Sequence, residues 1–300
     1  MISARGMGCP RVGGMRGLVT PSPGAVKPRP GATEAPCSRA GLAILRPMTT
    51  PKKTAVVTGA SRGIGREVAL AFIREGYDVW ALARSAEALE ELRKEAGEAL
   101  RPLAVDVANE AAVLEACRTV LQTGAPRVLV NNAGITLSAP LTKTRTEDLN
   151  RVMAVNVTAP FIFCRELIPS MVAAGGGRVI SIGSITATRG ARYTSAYCAS
   201  KHALLGMTRA LAVEYARKGV TVNQVNPGWV ETDMFSSAVG SITQATGRTQ
   251  EQAREALAAM NAMGRIILPH EVAAVCLFLA SEAAAGITGA AYAIDGGEPG

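Results

Sequence analysis

Short apolar segments rich in β-branched residues alternate with helical segments from Thr54 to the end of the chain, and this alternation leaves few possible architectures. Parallel strands need crossover connections, and helical crossovers cover both faces of the sheet. The chain is therefore predicted to be an α/β protein with a doubly wound Rossmann fold in a single domain. Its seven parallel strands are predicted at Thr54–Thr58, Asp78–Ala83, Leu103–Val105, Arg127–Val130, Arg178–Ile182, Thr221–Val225 and Ala290–Ile294.

Local signals also predict where some helices begin and end. Gly97 follows the helical stretch Ala86–Ala96 and is expected to cap its C-terminus. Capping boxes at helix N-termini are predicted for two pairs, Thr144 with Glu147 and Thr249 with Gln252.

The first part of the chain, residues 1 to about 50, is rich in Gly, Pro and Arg and shows neither helical nor strand periodicity. It is predicted to be a disordered extension before a folded domain spanning residues 51–300. Three explanations stay open: a coding start placed upstream of a true first residue Met48, a targeting peptide, and a flexible tail. Residues 1–53 hold nine of the 32 basic residues and one of the 24 acidic residues, so they account for the net charge of +8.

The remaining composition excludes several classes of function. Because residues 54–300 contain equal numbers of acidic and basic side chains, we predict no nucleic-acid partner. No apolar run reaches the ~20 residues that span a bilayer, so no membrane partner is predicted. The six cysteines show no CxxC spacing, which argues against a disulfide framework or a metal site. A reducing, cytoplasmic location is expected.

A glycine-rich segment, Thr58-Gly59-Ala60-Ser61-Arg62-Gly63-Ile64-Gly65, follows the first predicted strand and opens the first helix. Glycines in such a turn let backbone N–H groups approach a pyrophosphate, and the helix N-terminus adds partial positive charge. The spacing is G-x-x-x-G-x-G, and its position between strand and helix favours dinucleotide binding over a merely structural turn.

The end of the second strand predicts which dinucleotide binds. An NAD site usually has an acid there for the adenosine ribose, but Asp78 lies at the start of this strand and Arg84 follows its end. Arg62 lies within the turn. Two guanidinium groups favour a 2′-phosphate, since Arg forms bidentate bonds to phosphate. NADP(H) is therefore the predicted cofactor, and NAD(H) is the alternative. Arg84 could instead be a solvated residue that begins the next helix without binding the cofactor.

A phenol and an ammonium lie four residues apart in Tyr197-Cys198-Ala199-Ser200-Lys201, on one face of a predicted helix. Free tyrosine titrates near about 10, which makes it a poor acid–base group at neutral pH. The neighbouring ammonium is expected to lower that pKa by favouring the phenolate. Tyr197 could then donate a proton to a carbonyl oxygen as hydride reaches the carbon, or accept it in reverse.

Further polar residues belong to the carboxyl edge of the predicted sheet, where ligands bind in this architecture. Ser184 follows the fifth strand and could hold a substrate oxygen beside Tyr197, or simply cap a helix. Asn131-Asn132-Ala133-Gly134 closes the fourth strand. Asn156, in an otherwise apolar helix, is predicted to be a buried amide, part of a packing network or of a proton relay to Lys201.

The order and spacing of these motifs, TGASRGIG, NNAG, Asn156, Ser184, YCASK and Asn226-Pro227-Gly228, resemble the short-chain dehydrogenase/reductase family over residues 54 to about 297. The resemblance implies a catalytic tetrad of Asn156, Ser184, Tyr197 and Lys201, in which Asn156 positions a water leading to Lys201. Tyr197 and Lys201 would also contact the cofactor at the nicotinamide ribose. The other implied cofactor residues are Gly59, Ser61, Arg62, Gly63, Ile64 and Gly65 for the phosphates, Asp106, Val107, Asn132, Ala133 and Gly134 for the adenosine, and Pro227, Gly228, Val230 and Thr232 for the nicotinamide end.

The substrate is expected to meet a lid between the sixth strand and the last helix, about residues 232–268, although this stretch could be only a surface excursion. The chain resembles 3-oxoacyl-(acyl-carrier-protein) reductases and 3-hydroxyacyl-CoA dehydrogenases, which implies acyl-thioester substrates and a role in fatty-acid or polyketide metabolism. It is also similar to 3-hydroxybutyrate dehydrogenases, but Thr136 and Thr186 replace their carboxylate-binding Gln and His. Another alcohol or ketone dehydrogenase is the alternative.

Two other classes of protein stay open. A non-catalytic NADP(H) sensor would keep the phosphate turn but has no need of Tyr197 and Lys201, both of which are present. Epimerases and dehydratases with the same pair generally carry a further substrate domain. By resemblance, the chain is expected to be a homotetramer in which the helices of Asn156 and Tyr197 pack against a partner's.

Overall fold

The computed structural model describes residues 53–299, so the predicted disordered extension lies outside the described residues. Seven strands form one sheet in the order β3-β2-β1-β4-β5-β6-β7, and every neighbouring pair is parallel. The strands are β1 (Thr54–Thr58), β2 (Asp78–Ala83), β3 (Leu100–Ala104), β4 (Val128–Asn131), β5 (Gly177–Ile182), β6 (Val220–Pro227) and β7 (Ala291–Ile294). The predicted doubly wound Rossmann fold is confirmed.

Nine α-helices lie among the described residues 53–299. They are α1 (Gly63–Arg74), α2 (Ala86–Ala96), α3 (Glu110–Leu121), α4 (Thr146–Met153), α5 (Ala159–Ala173), α6 (Ser195–Tyr215), α7 (Asp233–Thr246), α8 (Gln250–Ala258) and α9 (Pro269–Ala280). A single π-helical turn, Ala154–Thr158, joins α4 to α5.

Alternation along the strands divides the core into two layers, because successive strand residues point to opposite faces. On β1, Ala55 and Val57 belong to the layer that includes Phe72 of α1 and Leu279 of α9. Val56 belongs to the opposite layer, with helices α3 and α5. Helices therefore cover both faces of the sheet, as the fold prediction requires.

The strand order reverses between β1 and β4, which makes this the switch point of the doubly wound sheet. Ligands of such sheets bind beyond the carboxyl ends of the strands at the switch point. Here those ends are the turn after Thr58 and the loop after Asn131.

Strand β3 differs most from its predicted bounds, since it begins at Leu100 instead of Leu103. It includes Pro102, which pairs with Ala81. Proline lacks the N–H donor of a central strand but is tolerated on an edge strand, and β3 is at the edge. The predicted strand Leu103–Val105 therefore missed its first three residues and extended one residue too far.

Two of the three predicted helix ends are confirmed. Gly97 caps α2, and Thr249 and Gln252 form the reciprocal capping box of α8. The capping box at Thr144 and Glu147 is wrong by one residue. Helix α4 begins at Thr146, Asp148 accepts the N–H of Arg145, and the Thr144 hydroxyl donates instead to the carbonyl of Pro140.

One continuous helical stretch within residues 53–299, Thr146–Ala173, has the length and hydropathy of a membrane span. The buried share of its most apolar window is 56%. It includes the π turn and packs against the sheet, so its apolar character matches that of a core helix.

Candidate active site

The turn after β1 approaches the NNAG loop so closely that only glycine fits at two positions. Gly59 has φ +66°, and a Cβ there would lie 2.9 Å from the Nδ2 atom of Asn132. A Cβ at Gly65 would overlap the same Nδ2 atom and the carbonyl of Gly59. The glycines therefore have a second role besides letting the backbone approach a phosphate: they let the NNAG loop pack against the turn.

Hydrogen bonds fix this packing. The Asn132 Nδ2 donates to the carbonyls of Thr58, at 2.9 Å, and Gly59, at 3.1 Å. The Thr58 hydroxyl accepts the backbone N–H groups of Asn132 and Ala133, both at 3.0 Å. Sequence reasoning missed the role of Thr58, although a polar residue ending an otherwise apolar strand was a signal.

The predicted adenosine residues lie at the carboxyl ends of β2 and β3. Arg84 is exposed directly after β2. Asp106 is exposed and accepts the backbone N–H of Ala108 at 3.1 Å, while Val107 is buried in the core. Asp106 is therefore free to face a ligand on its open side.

Residue Arg62 is exposed in the phosphate turn but already has a partner. Its Nη1 lies 3.1 Å from the Oδ2 atom of Asp233, the first residue of α7. Ser61 and Ile64 beside it are partly buried. Of the two arginines predicted to bind a 2′-phosphate, Arg62 thus already pairs with the first residue of α7.

The predicted nicotinamide end is built from the loop after β6. Pro227 ends that strand, and a Cβ at Gly228 would lie 3.1 Å from the Cα atom of Asp295. Val230 is buried and pairs with Ile267. Thr232 caps α7, and its methyl group would lie 3.1 Å from a Cβ at Gly63, so this loop contacts the phosphate turn.

The structure brings Tyr197, Ser184 and Lys201 together. Tyr197 and Lys201 lie on α6, and Ser184 follows β5. The Ser184 hydroxyl lies near enough to the Tyr197 phenol to affect its pKa, and the Ser184 Oγ accepts the backbone N–H of Thr186 at 3.2 Å. Lys201 is 4% exposed, and its Nζ lies 5.7 Å from the Tyr197 ring centroid.

The protein surroundings do not lower the pKa of the phenol, and the predicted direction is wrong. Burial raises the pKa of Tyr197 to about 12, and the nearby Ser184 hydroxyl acts in the opposite direction. Burial also lowers the pKa of the Lys201 ammonium to about 8. The Lys201 Nζ donates to the carbonyl of Ile182 at 2.8 Å and not to the phenol. With its pKa raised by burial, Tyr197 is consequently a protonated acid at neutral pH.

Asn156 lies in the π turn, is 1% exposed, and holds the chain just after the NNAG motif. Its Oδ1 accepts the N–H of Ile135 and its Nδ2 donates to the carbonyl of Ile135, both at 2.9 Å. The Nδ2 also donates to the Ser200 hydroxyl at 3.0 Å. A Cβ at Gly134 would lie 3.4 Å from the Asn156 Oδ1 and 3.6 Å from the Lys201 Nζ, so Asn156 and Lys201 flank this glycine.

These residues along one sheet edge fit a nicotinamide dinucleotide. The glycine turn and the N-terminus of α1 suit a pyrophosphate, and Arg84 follows β2 where an adenosine ribose is recognised. The Tyr197 group lies at the carboxyl end of β5, where the other end of an extended dinucleotide would reach. The arrangement can bind a dinucleotide and supply a proton to a substrate oxygen.

Comparison with known proteins agrees with this geometry. A family model described as enoyl-(acyl carrier protein) reductase matches residues 59–298. The galactitol 2-dehydrogenase (L-tagatose-forming) of Cereibacter sphaeroides is 38% identical over 246 residues, which are 81% of this chain and 93% of that protein. The 3-oxoacyl-[acyl-carrier-protein] reductase FabG of Thermotoga maritima is 36% identical over 250 residues, 82% of this chain and 97% of that protein.

A solved structure agrees as well. L-sorbose reductase from Gluconobacter frateurii, complexed with NADPH and L-sorbose, matches with a TM-score of 0.78 and 32% identity over 82% of this chain and 96% of that chain. The fold, the sequence motifs and the similar proteins all indicate the same family. The chain belongs to the short-chain dehydrogenase/reductase family and is an oxidoreductase that acts on CH–OH groups with a nicotinamide cofactor.

Proposed function

We propose that the chain is an NADP(H)-dependent reductase that converts the 3-oxo group of an acyl thioester, carried by acyl carrier protein or coenzyme A, to a secondary alcohol. The observation that carries the reaction is the partly buried Tyr197 phenol beside the Ser184 hydroxyl, with a pKa that burial raises to about 12. A phenol that keeps its proton at neutral pH is suited to donation, which is the direction of carbonyl reduction.

In the proposed mechanism, the bound nicotinamide supplies the hydride. The Ser184 hydroxyl holds the substrate oxygen beside the Tyr197 hydroxyl, which donates its proton to that oxygen. The Lys201 ammonium, 5.7 Å from the Tyr197 ring centroid, stabilises the phenolate left behind. Asn156 keeps Ile135 in place through two hydrogen bonds, which maintains the loop that faces the cofactor. The proposed catalytic residues are therefore Tyr197, Ser184, Lys201 and, through positioning, Asn156.

The preference for NADP(H) rests on charge. Arg84 directly follows β2, where an acid would otherwise bind the ribose hydroxyls of NAD, and its side chain is exposed. Arg62 supplies a second guanidinium from the phosphate turn. L-sorbose reductase, a relative with the same fold, was solved with NADPH.

The preference for an acyl thioester rests on the lid, residues 232–268, which we propose covers the substrate. Three methionines keep apolar surface exposed on or beside its helices α7 and α8: Met234 (43%), Met260 (46%) and Met263 (62%). Flexible thioether side chains adapt to an acyl chain. FabG, which is about as similar to this chain as the galactitol dehydrogenase is, is named for reduction of a 3-oxoacyl thioester.

A ketose or polyol is the second candidate substrate, and one unpaired hydroxyl group favours it. Thr186, two residues after Ser184, is 9% exposed, and its hydroxyl oxygen is buried without a hydrogen-bond partner. A substrate hydroxyl adjacent to the reacting carbonyl would satisfy it. The galactitol dehydrogenase and the sorbose reductase act on such compounds by name.

A substrate panel separates the candidates. Purified protein is mixed with NADPH or NADH and with acetoacetyl-CoA, L-tagatose or L-sorbose, and nicotinamide absorbance is followed. We expect the highest kcat/KM with acetoacetyl-CoA and NADPH. A higher kcat/KM with either ketose assigns the second candidate, and nicotinamide binding without turnover of any carbonyl contradicts the reductase proposal in favour of a sensor.

A further inference from the structure

A side chain of the neighbouring strand holds the backbone of Ser184. The Oδ1 atom of Asn226, on β6, accepts the Ser184 N–H at 3.2 Å. Asn226 is 3% exposed, so this bond is shielded from water. The position of the Ser184 hydroxyl thus depends on a residue that does not belong to the predicted tetrad.

A second amide fixes the orientation of the first. The Gln224 Nε2 donates to the same Asn226 Oδ1 at 2.7 Å, and the Gln224 Oε1 accepts the Thr208 hydroxyl at 3.4 Å. Gln224 and Thr208 are 0% and 1% exposed. Since Thr208 lies on α6, this buried chain runs from the helix of Tyr197 to the backbone of Ser184.

Gly183, the residue before Ser184, is tightly packed between β5 and the side chains of β6. A Cβ at Gly183 would overlap the amides of Asn226 and Gln224, and the Gly183 N–H donates to the carbonyl of Val225 at 2.7 Å. The Lys201 Nζ holds the carbonyl of Ile182 at 2.8 Å. Three successive residues of the chain are therefore fixed from β6 and from α6.

We propose that Asn226 is a positioning residue for Ser184, with Gln224 setting the orientation of the Asn226 amide. This inference rests on the proposed function, in which Ser184 holds the substrate oxygen beside Tyr197. Without the Asn226 carbonyl, the Ser184 N–H loses its buried acceptor and the hydroxyl moves relative to the phenol. A displacement of about 1 Å in a reacting constellation costs up to ~10²-fold in rate.

The test uses two buried asparagines of one strand. Asn223 is 1% exposed, like Asn226, and bonds to the segment before β7: its Nδ2 donates to the carbonyl of Ile287 at 2.8 Å and its Oδ1 accepts the N–H of Ala290 at 3.1 Å. It points to the opposite face of the sheet and does not contact Ser184. Asn226→Ala and Asn223→Ala therefore remove equivalent buried amides, and only the first releases the proposed catalytic serine.

Single-turnover NADPH oxidation is measured for both variants with the best substrate of acetoacetyl-CoA, L-tagatose and L-sorbose, together with NADPH Kd and Tm. We expect Asn226→Ala to slow turnover by about tenfold to a hundredfold with an NADPH Kd within about twofold of wild type. Asn223→Ala should lower Tm. At temperatures well below that Tm, its turnover rate should equal that of the wild type. Equal rates for the two variants would overturn the positioning role.

A double-mutant cycle distinguishes this failure from failure of the proposed function. If Asn226 acts through the Ser184 hydroxyl, Asn226→Ala adds little to the rate loss of Ser184→Ala; full additivity overturns the inference. If Ser184→Ala itself keeps the wild-type rate, the proposed function fails instead. Gln224→Met, which conserves volume, serves if Asn226→Ala does not fold. It should slow turnover less than Asn226→Ala is expected to, and an unchanged rate would contradict the role of Gln224.

Discussion

The neighbouring hydroxyls of Tyr197 and Ser184 mark the point where a substrate oxygen is held in the proposed mechanism. Tyr197→Phe keeps the ring and removes the hydroxyl group that carries the proton. We expect kcat to fall by ~10²–10⁴-fold, the usual contribution of a general acid. The NADPH Kd, measured by fluorescence titration, should stay within about twofold. More than about one per cent residual activity would argue against Tyr197 as the donor.

The buried Lys201 sets an expectation for pH dependence. Its ammonium, with a pKa lowered to about 8 by burial, is charged below that pH and neutral above it. The stabilisation of the Tyr197 phenolate by the ammonium is therefore present at lower pH and lost as the pH rises. We expect kcat/KM for NADPH, which reports ionisations of the free enzyme, to fall above about pH 8.

Replacing that ammonium tests the assignment of the pH dependence. The guanidinium of Lys201→Arg keeps its charge at all pH values of interest. The alkaline fall in kcat/KM should then vanish, even if the absolute rate is lower. A fall at the same pH in this variant would assign the ionisation to another group.

Cofactor choice depends on the exposed Arg84 after β2. Arg84→Asp removes a charge-assisted partner of the 2′-phosphate and restores the acid typical of NAD sites. We expect the ratio of kcat/KM for NADPH to that for NADH to fall by roughly 10- to 100-fold, from about 1.5–3 kcal/mol for a hydrogen bond to a charged group. Arg118→Asp, on the remote helix α3, controls for net charge. An unchanged ratio would show that Arg84 does not bind the 2′-phosphate.

At this scale, the residues proposed to carry the chemistry could be chosen from the sequence, but the residues that support them could not. Tyr197, Lys201 and Ser184 follow from local spacing and from strand ends. Thr58 and Gln224 look like ordinary polar residues in apolar strands, since their partners lie on other elements. The direction of the Tyr197 pKa shift could not be predicted from the sequence either, because it depends on burial and not on the neighbouring lysine.

At the scale of elements, an ion pair links the start of the proposed lid to the phosphate turn, beside the contact of Thr232 with Gly63. The Arg62 Nη1 lies 3.1 Å from the Oδ2 of Asp233 at the start of α7, with both side chains largely exposed. If Arg62 binds the 2′-phosphate, Asp233 competes with the cofactor for it. The lid and the cofactor turn would then be coupled through a single carboxylate.

Asp233→Asn should free Arg62 and tighten NADPH binding without changing that of NADH. An exposed ion pair contributes about 0.2–1 kcal/mol, so the NADPH Kd should fall by roughly 1.5- to 5-fold at low salt. Glu231→Gln is the matched control. It removes the same charge two residues earlier but breaks only the pair with Arg254 inside the lid. Equal tightening in both variants, or for both cofactors, would indicate a general charge effect.

The elements themselves were largely predictable because their periodicity is local. Strands β1 and β2 have the predicted bounds, and the other strands differ by one to three residues at their ends. The π turn at Asn156 was not predictable. It depends on side-chain bonds to Ile135 and Ser200, which only the assembled fold brings together.

At the scale of the whole molecule, apolar side chains remain exposed on the helical layer that carries Asn156 and Tyr197. Leu149 on α4 is 37% exposed, Phe161 on α5 is 48% exposed and Val213 on α6 is 85% exposed. Exposed apolar groups on neighbouring helices are typical of an association surface. They fit the proposed homotetramer, in which these helices pack against those of a partner.

Charge placed on this layer tests the proposed assembly, because an unpaired carboxylate in an apolar interface is costly to desolvate. We expect wild type to have four chain masses by size-exclusion chromatography with light scattering, and Phe161→Glu and Val213→Glu each to give a smaller species. Leu141→Glu is the control, since Leu141 is 75% exposed on a 3-10 turn outside these helices. A monomeric wild type would contradict the tetramer itself. A tetramer that persists in Phe161→Glu and Val213→Glu would place its interfaces on other faces of the molecule.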